Sequence, residues 1–240
     1  MNEMRKGGVR LFLTIPNIFT LSNLGFGIVG LYFAMTRNFL YAFLFVFLAI
    51  ISDGLDGFVA RKLKAANEFG KELDSLCDQV SFGVTPAVML ISCIENPGVF
   101  YFGLIVAIIY PAFGALRLAR FNIYGSKEFF EGLAIPAAAF FTGLVVLCIN
   151  PISNTICILL FLLAAILMIS TIAFPSAKTR TGVKTICISI IIGLIFFSIF
   201  YIIGLIAQDI IQIILWLLLS IMLSYITTSP LIFHTMLSKH

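Results

Sequence analysis

Four aspartates within 26 consecutive positions are the groups in this sequence best placed to do chemistry. Asp53, Asp56, Gly57 and Ala60 fall at i, i+3, i+4 and i+7, which on a helix makes one stripe. Gly70, Asp74 and Asp78, at i, i+4 and i+8, make a second. The connection between them, KLKAANEF, is short, so the two helices are expected to be antiparallel neighbours with their acidic stripes facing. Four carboxylates at close quarters in a low dielectric cannot all stay ionised without cations. Each aspartate in a membrane helix also costs at least about 2.5 kcal/mol on insertion scales. Hard oxygen donors, with no histidine or cysteine in either stripe, suit Mg²⁺ or Mn²⁺, and four are enough for one or two such ions. The small residues Gly57, Ala60 and Gly70 leave room for a substrate to approach the backbone. A solvated loop would account for Glu68, Glu72, Lys62 and Lys64. The aspartates instead sit among Ile51, Leu55, Phe58, Leu73, Leu76 and Val80, which is not loop composition.

The elements that must hold these groups are transmembrane helices. The 240 residues are 61% hydrophobic and 11% charged, with a mean hydropathy of +1.12. Soluble chains are about 25% charged. The apolar runs approach the ~20 residues a helix needs to cross a bilayer, and eight spans are predicted: roughly 11–35, 39–60, 70–94, 98–120, 132–150, 152–174, 184–207 and 210–236. No sustained in/out alternation of the barrel type is present, and helices satisfy their own backbone in lipid. The expected fold is an all-α polytopic bundle. Of the 15 lysines and arginines, only Arg37 lies outside the N-terminus, the even-numbered connections and the C-terminus. The positive-inside rule therefore places both termini and the acidic stripes on the cytoplasmic side of the cell membrane.

Other chemistries fit poorly. The net charge of +4 reflects topology and anionic headgroups, not nucleic acid. The first apolar stretch is too long for a signal peptide, contains Pro16, Asn17 and Asn23, and has no small-residue cleavage site after it, so it is expected to be a retained helix. Five scattered cysteines without CxxC spacing predict neither disulfides nor zinc, and both histidines, His234 and His240, lie at the C-terminal end. The acidic cluster has no echo in the second half of the chain. Residues 1–240 are therefore expected to form a single membrane domain, with a catalytic core at about 11–174 and two added spans at about 184–236.

The pattern Asp53-x2-Asp56-Gly57-x2-Ala60-Arg61-x8-Gly70-x3-Asp74-x3-Asp78 resembles the full signature of the CDP-alcohol phosphatidyltransferases, with every fixed position filled and every gap of the right length. The resemblance implies transfer of a phosphatidyl group from a CDP-lipid to an alcohol with release of CMP, around two divalent ions that hold the diphosphate. It implies Asp53, Asp56 and Asp74 as metal ligands, and Asp78 as a further ligand or as the base that deprotonates the attacking hydroxyl. Gly57, Ala60 and Gly70 would line the CDP-lipid site, with Arg61 near the phosphates. Asn17, in a Pro-Asn pair like that of the family's first helix, would lie near the nucleotide. Thr20 and Asn23 either share that neighbourhood or hydrogen-bond between helices. A homodimer is the family expectation.

The acceptor alcohol is narrowed by "GALRLARFNIYG", "EGLAIPAA" and "FPSAK", which resemble the membrane-type phosphatidylserine synthases of this family. Arg117, Arg120 and Asn122 are thus candidates for binding L-serine, whose carboxylate a guanidinium can grip bidentately. Arginines that merely mark the cytoplasmic side remain the alternative. Lys178 and Lys184 are candidate phosphate contacts or topology signals. The resemblance favours CDP-diacylglycerol and L-serine as substrates. It leaves open glycerol phosphate or inositol phosphate as acceptor and CDP-archaeol as the lipid. An ion or proton transporter would also carry intramembrane carboxylates, but usually near mid-membrane between repeated halves. Here they occur once, at one edge.

Overall fold

A computed structural model describes residues 14–63, 67–124, 130–148, 153–174, 180–202 and 210–237. Its helices are α1 (Ile15–Met35), α2 (Phe39–Lys62), α3 (Glu68–Asp78), α4 (Thr85–Cys93), α5 (Pro97–Tyr124), α6 (Ile135–Leu147), α7 (Asn154–Ile169), α8 (Arg180–Ile202) and α9 (Ile210–Leu237). α3 and α4 are two parts of one helix, joined by a π-helical turn at Gln79–Val84, so eight helical segments occupy the eight expected positions. α1, α2, the α3–α4 helix, α5 and α9 are each long and apolar enough to cross a bilayer.

α1 shows how the sequence builds such a bundle. Its buried face is small or polar, formed by Asn17, Thr20, Asn23, Gly27, Gly30 and Ala34. Ile18, Ile28, Tyr32 and Met35 point outward. This is the reverse of a soluble helix, and it lets backbones approach closely while apolar side chains meet lipid. α1 packs along α2 on one side and along α3, the π turn and α4 on the other. Ser81 and Thr85 fasten that second contact, donating to the carbonyls of Asn23 and Gly27 at 3.0 Å each. A Cβ on Gly27 would strike Ser81, which is why glycine stands there.

Three features depart from the expected pattern. The π turn falls just before Thr85-Pro86, where the proline ring would clash with the carbonyl four residues back and cannot donate to it. Widening the turn relieves both problems. α6 and α7 have 13 and 16 residues, shorter than the expected spans at 132–150 and 152–174. α6 is buried among α2, α4, α7 and α9, so its length follows its protein neighbours more than the bilayer. Last, Phe130–Glu131 (β1) and Ala173–Phe174 (β2) form a short antiparallel pair where no strand was expected. Gly132, at φ +75, turns the chain beside it and donates its N–H to the Ile172 carbonyl at 2.9 Å.

Candidate active site

α2 brings Asp53 and Asp56, and α3 brings Asp74 and Asp78. One carboxylate oxygen from each of Asp53, Asp56 and Asp74 lies within 4.8 Å of the others. The facing stripes expected from the spacing are therefore present. The helices that carry them are less closely packed than expected. α1 lies against both α2 and α3, and the gap left between those two is an open cleft. Coulomb repulsion within the cluster opposes closer packing of the two acidic helices.

α1 reaches the cluster from behind with two donors one turn apart. Thr20 Oγ1 donates to Asp56 Oδ2 at 2.7 Å, and Asn23 Nδ2 donates to Asp78 Oδ1 at 2.8 Å. Asp56 and Asp78 are 6% and 5% exposed, so these bonds decide how the two carboxylates are oriented. Asp78 stands outside the group of three mutually close aspartates. The donor set fits a divalent cation. It is all carboxylate, its oxygens approach the spacing of ligands around one ion, and Asp74 Oδ1 is buried with no partner of its own.

The cleft has a volume of about 200 Å³ and is lined by Pro16, Asn17, Thr20, Asp56, Gly57, Ala60, Arg61, Asn67, Gly70, Lys71 and Asp74. Every residue expected to bind the CDP-lipid is on this wall. Asn67 caps α3 by accepting from the Gly70 N–H at 2.7 Å. A Cβ at Gly70 would come within 3.3 Å of both Asn17 Oδ1 and Asn67 Oδ1, so glycine keeps this mouth open. The Arg61 guanidinium folds back over Gly57, 3.3 Å from where a Cβ would sit.

The residues considered for the acceptor are divided by the structure. Arg117 is 6% exposed on the inner face of α5, acts electrostatically on Asp78 and Asp53, and has a buried Nε without a partner. Arg120 faces elsewhere. Its Nη1 donates to the Ile169 carbonyl at 2.9 Å, and its Nη2 donates to those of Glu131 at 2.9 Å, Ser170 at 3.0 Å and Met168 at 3.4 Å. It caps the C-terminus of α7 and ties it to β1. Asn122 is likewise engaged, donating to Ser75 Oγ at 3.0 Å and to Glu72 Oε1 at 3.3 Å, while its carbonyl accepts from Lys71 Nζ at 2.6 Å. Lys184 is exposed on α8, which packs along α9. Lys178 lies outside the described residues.

Sequence reasoning did not assign Thr20 and Asn23 to the aspartates. Their polarity inside an apolar helix, in phase with Asn17, was the available signal. Lys71 and Asn67 had only loop-like context and no such signal.

Comparison with known proteins agrees with this geometry. The family model described as CDP-alcohol phosphatidyltransferase matches residues 13–175. The chain is 39% identical to the CDP-diacylglycerol–serine O-phosphatidyltransferase of Methanocaldococcus jannaschii, over 77% of this chain and 85% of the relative. It is 38% identical to the protein of the same name from Helicobacter pylori, over 68% and 72% of the two chains. It is 32% identical to the archaetidylserine synthase of Methanothermobacter thermautotrophicus, over 73% and 74%.

Proposed function

The chain belongs to the CDP-alcohol phosphatidyltransferase family, and we propose that it transfers the phosphatidyl group of CDP-diacylglycerol to L-serine, releasing CMP. The observation that carries this reading is the convergence of Asp53, Asp56 and Asp74 beside a cleft walled by Gly57, Ala60 and Gly70, with Asp78 held a turn away. The names of the relatives support serine as the acceptor.

In this reading the CDP-lipid enters the cleft with its diphosphate toward the aspartates. Asn17, Gly57, Ala60 and Gly70 border the nucleotide, and Arg61 approaches the phosphates. Asp53, Asp56 and Asp74 would hold Mn²⁺ or Mg²⁺, two ions in the family's manner, which when bound neutralise the diphosphate and stabilise the departing CMP. Thr20 fixes Asp56 for that role. Asp78 is the base: it accepts the proton of the serine hydroxyl as that oxygen attacks the phosphatidyl phosphorus and the bond to CMP breaks. Asn23 keeps the Asp78 carboxylate turned toward the hydroxyl. Arg117 meets the serine carboxylate and so brings the nucleophile into line. Arg120 and Asn122 act at one remove, by fixing α7 and α3 against α5.

The distribution of basic residues supports a site on the cytoplasmic face of the cell membrane, where lipid tails stay in the bilayer and the water-soluble partners arrive from outside it. Residues 11–174 are read as the catalytic core, supported by the family match over 13–175, and 184–236 as an added helical pair. A homodimer rests on family resemblance. The archaetidylserine synthase relative supports a second reading, the same transfer from CDP-archaeol. The deciding experiment supplies purified protein and Mn²⁺ with either CDP-lipid and each candidate alcohol, and measures CMP. Release that depends on serine supports the proposal. Release only with glycerol phosphate or inositol phosphate rejects it.

A further inference from the structure

Four buried side-chain atoms have no hydrogen-bond partner among the described residues: Asn23 Oδ1, Asp74 Oδ1, Gln79 Oε1 and Arg117 Nε. All four belong to the surroundings of Asp78. Asn23 is bonded to it, Asp74 is one turn before it, Gln79 follows it, and Arg117 acts on it electrostatically. Buried polar atoms are nearly always paired, so orphans on Asp78's hydrogen-bond partner, its chain neighbours and the cation acting on it point to a partner that comes from outside the chain. A divalent cation at the aspartates would account for Asp74 Oδ1 but not for Asn23 Oδ1, Gln79 Oε1 or Arg117 Nε, and the last two lie toward α5.

The orientation of Gln79 is fixed. Its Nε2 donates to the Pro111 carbonyl of α5 at 2.7 Å. A carbonyl only accepts, so the amide cannot be turned over, and Oε1 must face away from Pro111. Gly83 makes room for it: a Cβ there would lie 3.0 Å from Gln79 Nε2 and 3.2 Å from Oε1, while Oε1 reaches α5 at Gly114, where a Cβ would meet it at an ordinary contact distance of 3.4 Å. Gly114 and Arg117 share the buried face of α5, one turn apart. A neutral acceptor oxygen and a guanidinium with an unpaired N–H thus flank one stretch of α5 beside Asp78.

We propose that Gln79 and Arg117 form the acceptor subsite on the α5 side of Asp78, with Gln79 Oε1 accepting from the α-ammonium of an amino-acid substrate and Arg117 binding its carboxylate. This deepens the serine reading above and rests on it. The subsite selects a zwitterion, because a phosphorylated polyol brings the anion for Arg117 but no cation for Gln79.

The test compares L-serine with 3-hydroxypropanoate, the same skeleton without the ammonium group, in CMP release by the full-length protein with CDP-diacylglycerol and Mn²⁺. The wild type is expected to prefer serine strongly. Gln79→Met keeps the side-chain length, and is expected to narrow that preference by about tenfold or more through the KM for serine, with the KM for CDP-diacylglycerol unchanged. Gln79→Leu, close in volume and likewise without an acceptor oxygen, is expected to narrow the preference in the same direction; it serves if the Met variant does not fold. An unchanged preference in a folded variant overturns the subsite, even if the overall rate falls. A wild-type protein that releases no CMP with serine overturns the parent reading instead, so the two failures are distinguishable.

Discussion

Asn23 of α1 and Asp78 at the end of α3 are joined by a 2.8 Å hydrogen bond between residues 55 positions apart, and both are almost wholly shielded from solvent. The bond sets the direction of the carboxylate assigned as base, and it is made by the amide nitrogen, which leaves Asn23 Oδ1 unpartnered. Replacing Asn23 by Ala should free the Asp78 carboxylate to rotate. The expected result is a fall in kcat of at least about tenfold, with the KM for CDP-diacylglycerol little changed. Equal changes in both constants would make the contact one of general packing.

The clustering of Asp53, Asp56 and Asp74 stores electrostatic repulsion that a divalent cation would relieve. Adding Mn²⁺ to the metal-free protein in detergent should therefore raise its Tm, because a ligand that binds only the folded state stabilises it. Asp74→Asn should abolish both this shift and turnover, and chelation should stop turnover in the wild type. A Tm that ignores the metal in the wild type would count against the cluster as its site.

Gly57 tests the cleft wall. A Cβ there would lie 3.3 Å from Arg61 Nη1, the movable end of a long side chain, so Gly57→Ala should fold normally. It should nevertheless displace Arg61 and thicken the wall of the cleft. The KM for CDP-diacylglycerol is expected to rise by roughly tenfold with Tm unchanged and the KM for serine little altered. A rise in the serine KM alone would place Gly57 on the wrong side of the site.

Much of this was legible in the sequence because membrane burial makes polarity conspicuous. Asp53, Asp56, Asp74 and Asp78 stand out from apolar neighbours, their helical phase is unambiguous, and the same spacing predicted the face they share. The third helix was harder. Its π turn depends on how Pro86 competes with carbonyls one turn back and on Ser81 and Thr85 finding acceptors on α1, which periodicity alone does not record. Arginine was the most ambiguous signal. Arg117 and Arg120 are three residues apart at the same helix end, and only the position of the α7 carbonyls separates a buried guanidinium beside Asp78 from one that closes a helix terminus.

That separation gives the last prediction. Arg120 donates to carbonyls at the end of α7 and to Glu131, so Arg120→Ala removes several charge-assisted bonds and leaves carbonyls beside α5 unpaired. Each such bond is worth about 1.5–3 kcal/mol; partial rehydration at the membrane edge reduces the sum, and a loss of about 2–3 kcal/mol in stability is expected. Arg117→Ala removes a charge beside Asp78 while breaking no hydrogen bond of its Nε. It should raise the serine KM by about tenfold or more, since its partner is the substrate, beyond whatever Tm it loses by vacating a buried position beside Asp78. Thermal unfolding in detergent and serine titrations on both variants read the two effects separately. If Arg120→Ala raised the serine KM more than Arg117→Ala, with Tm preserved, the roles of the two arginines would have to be exchanged.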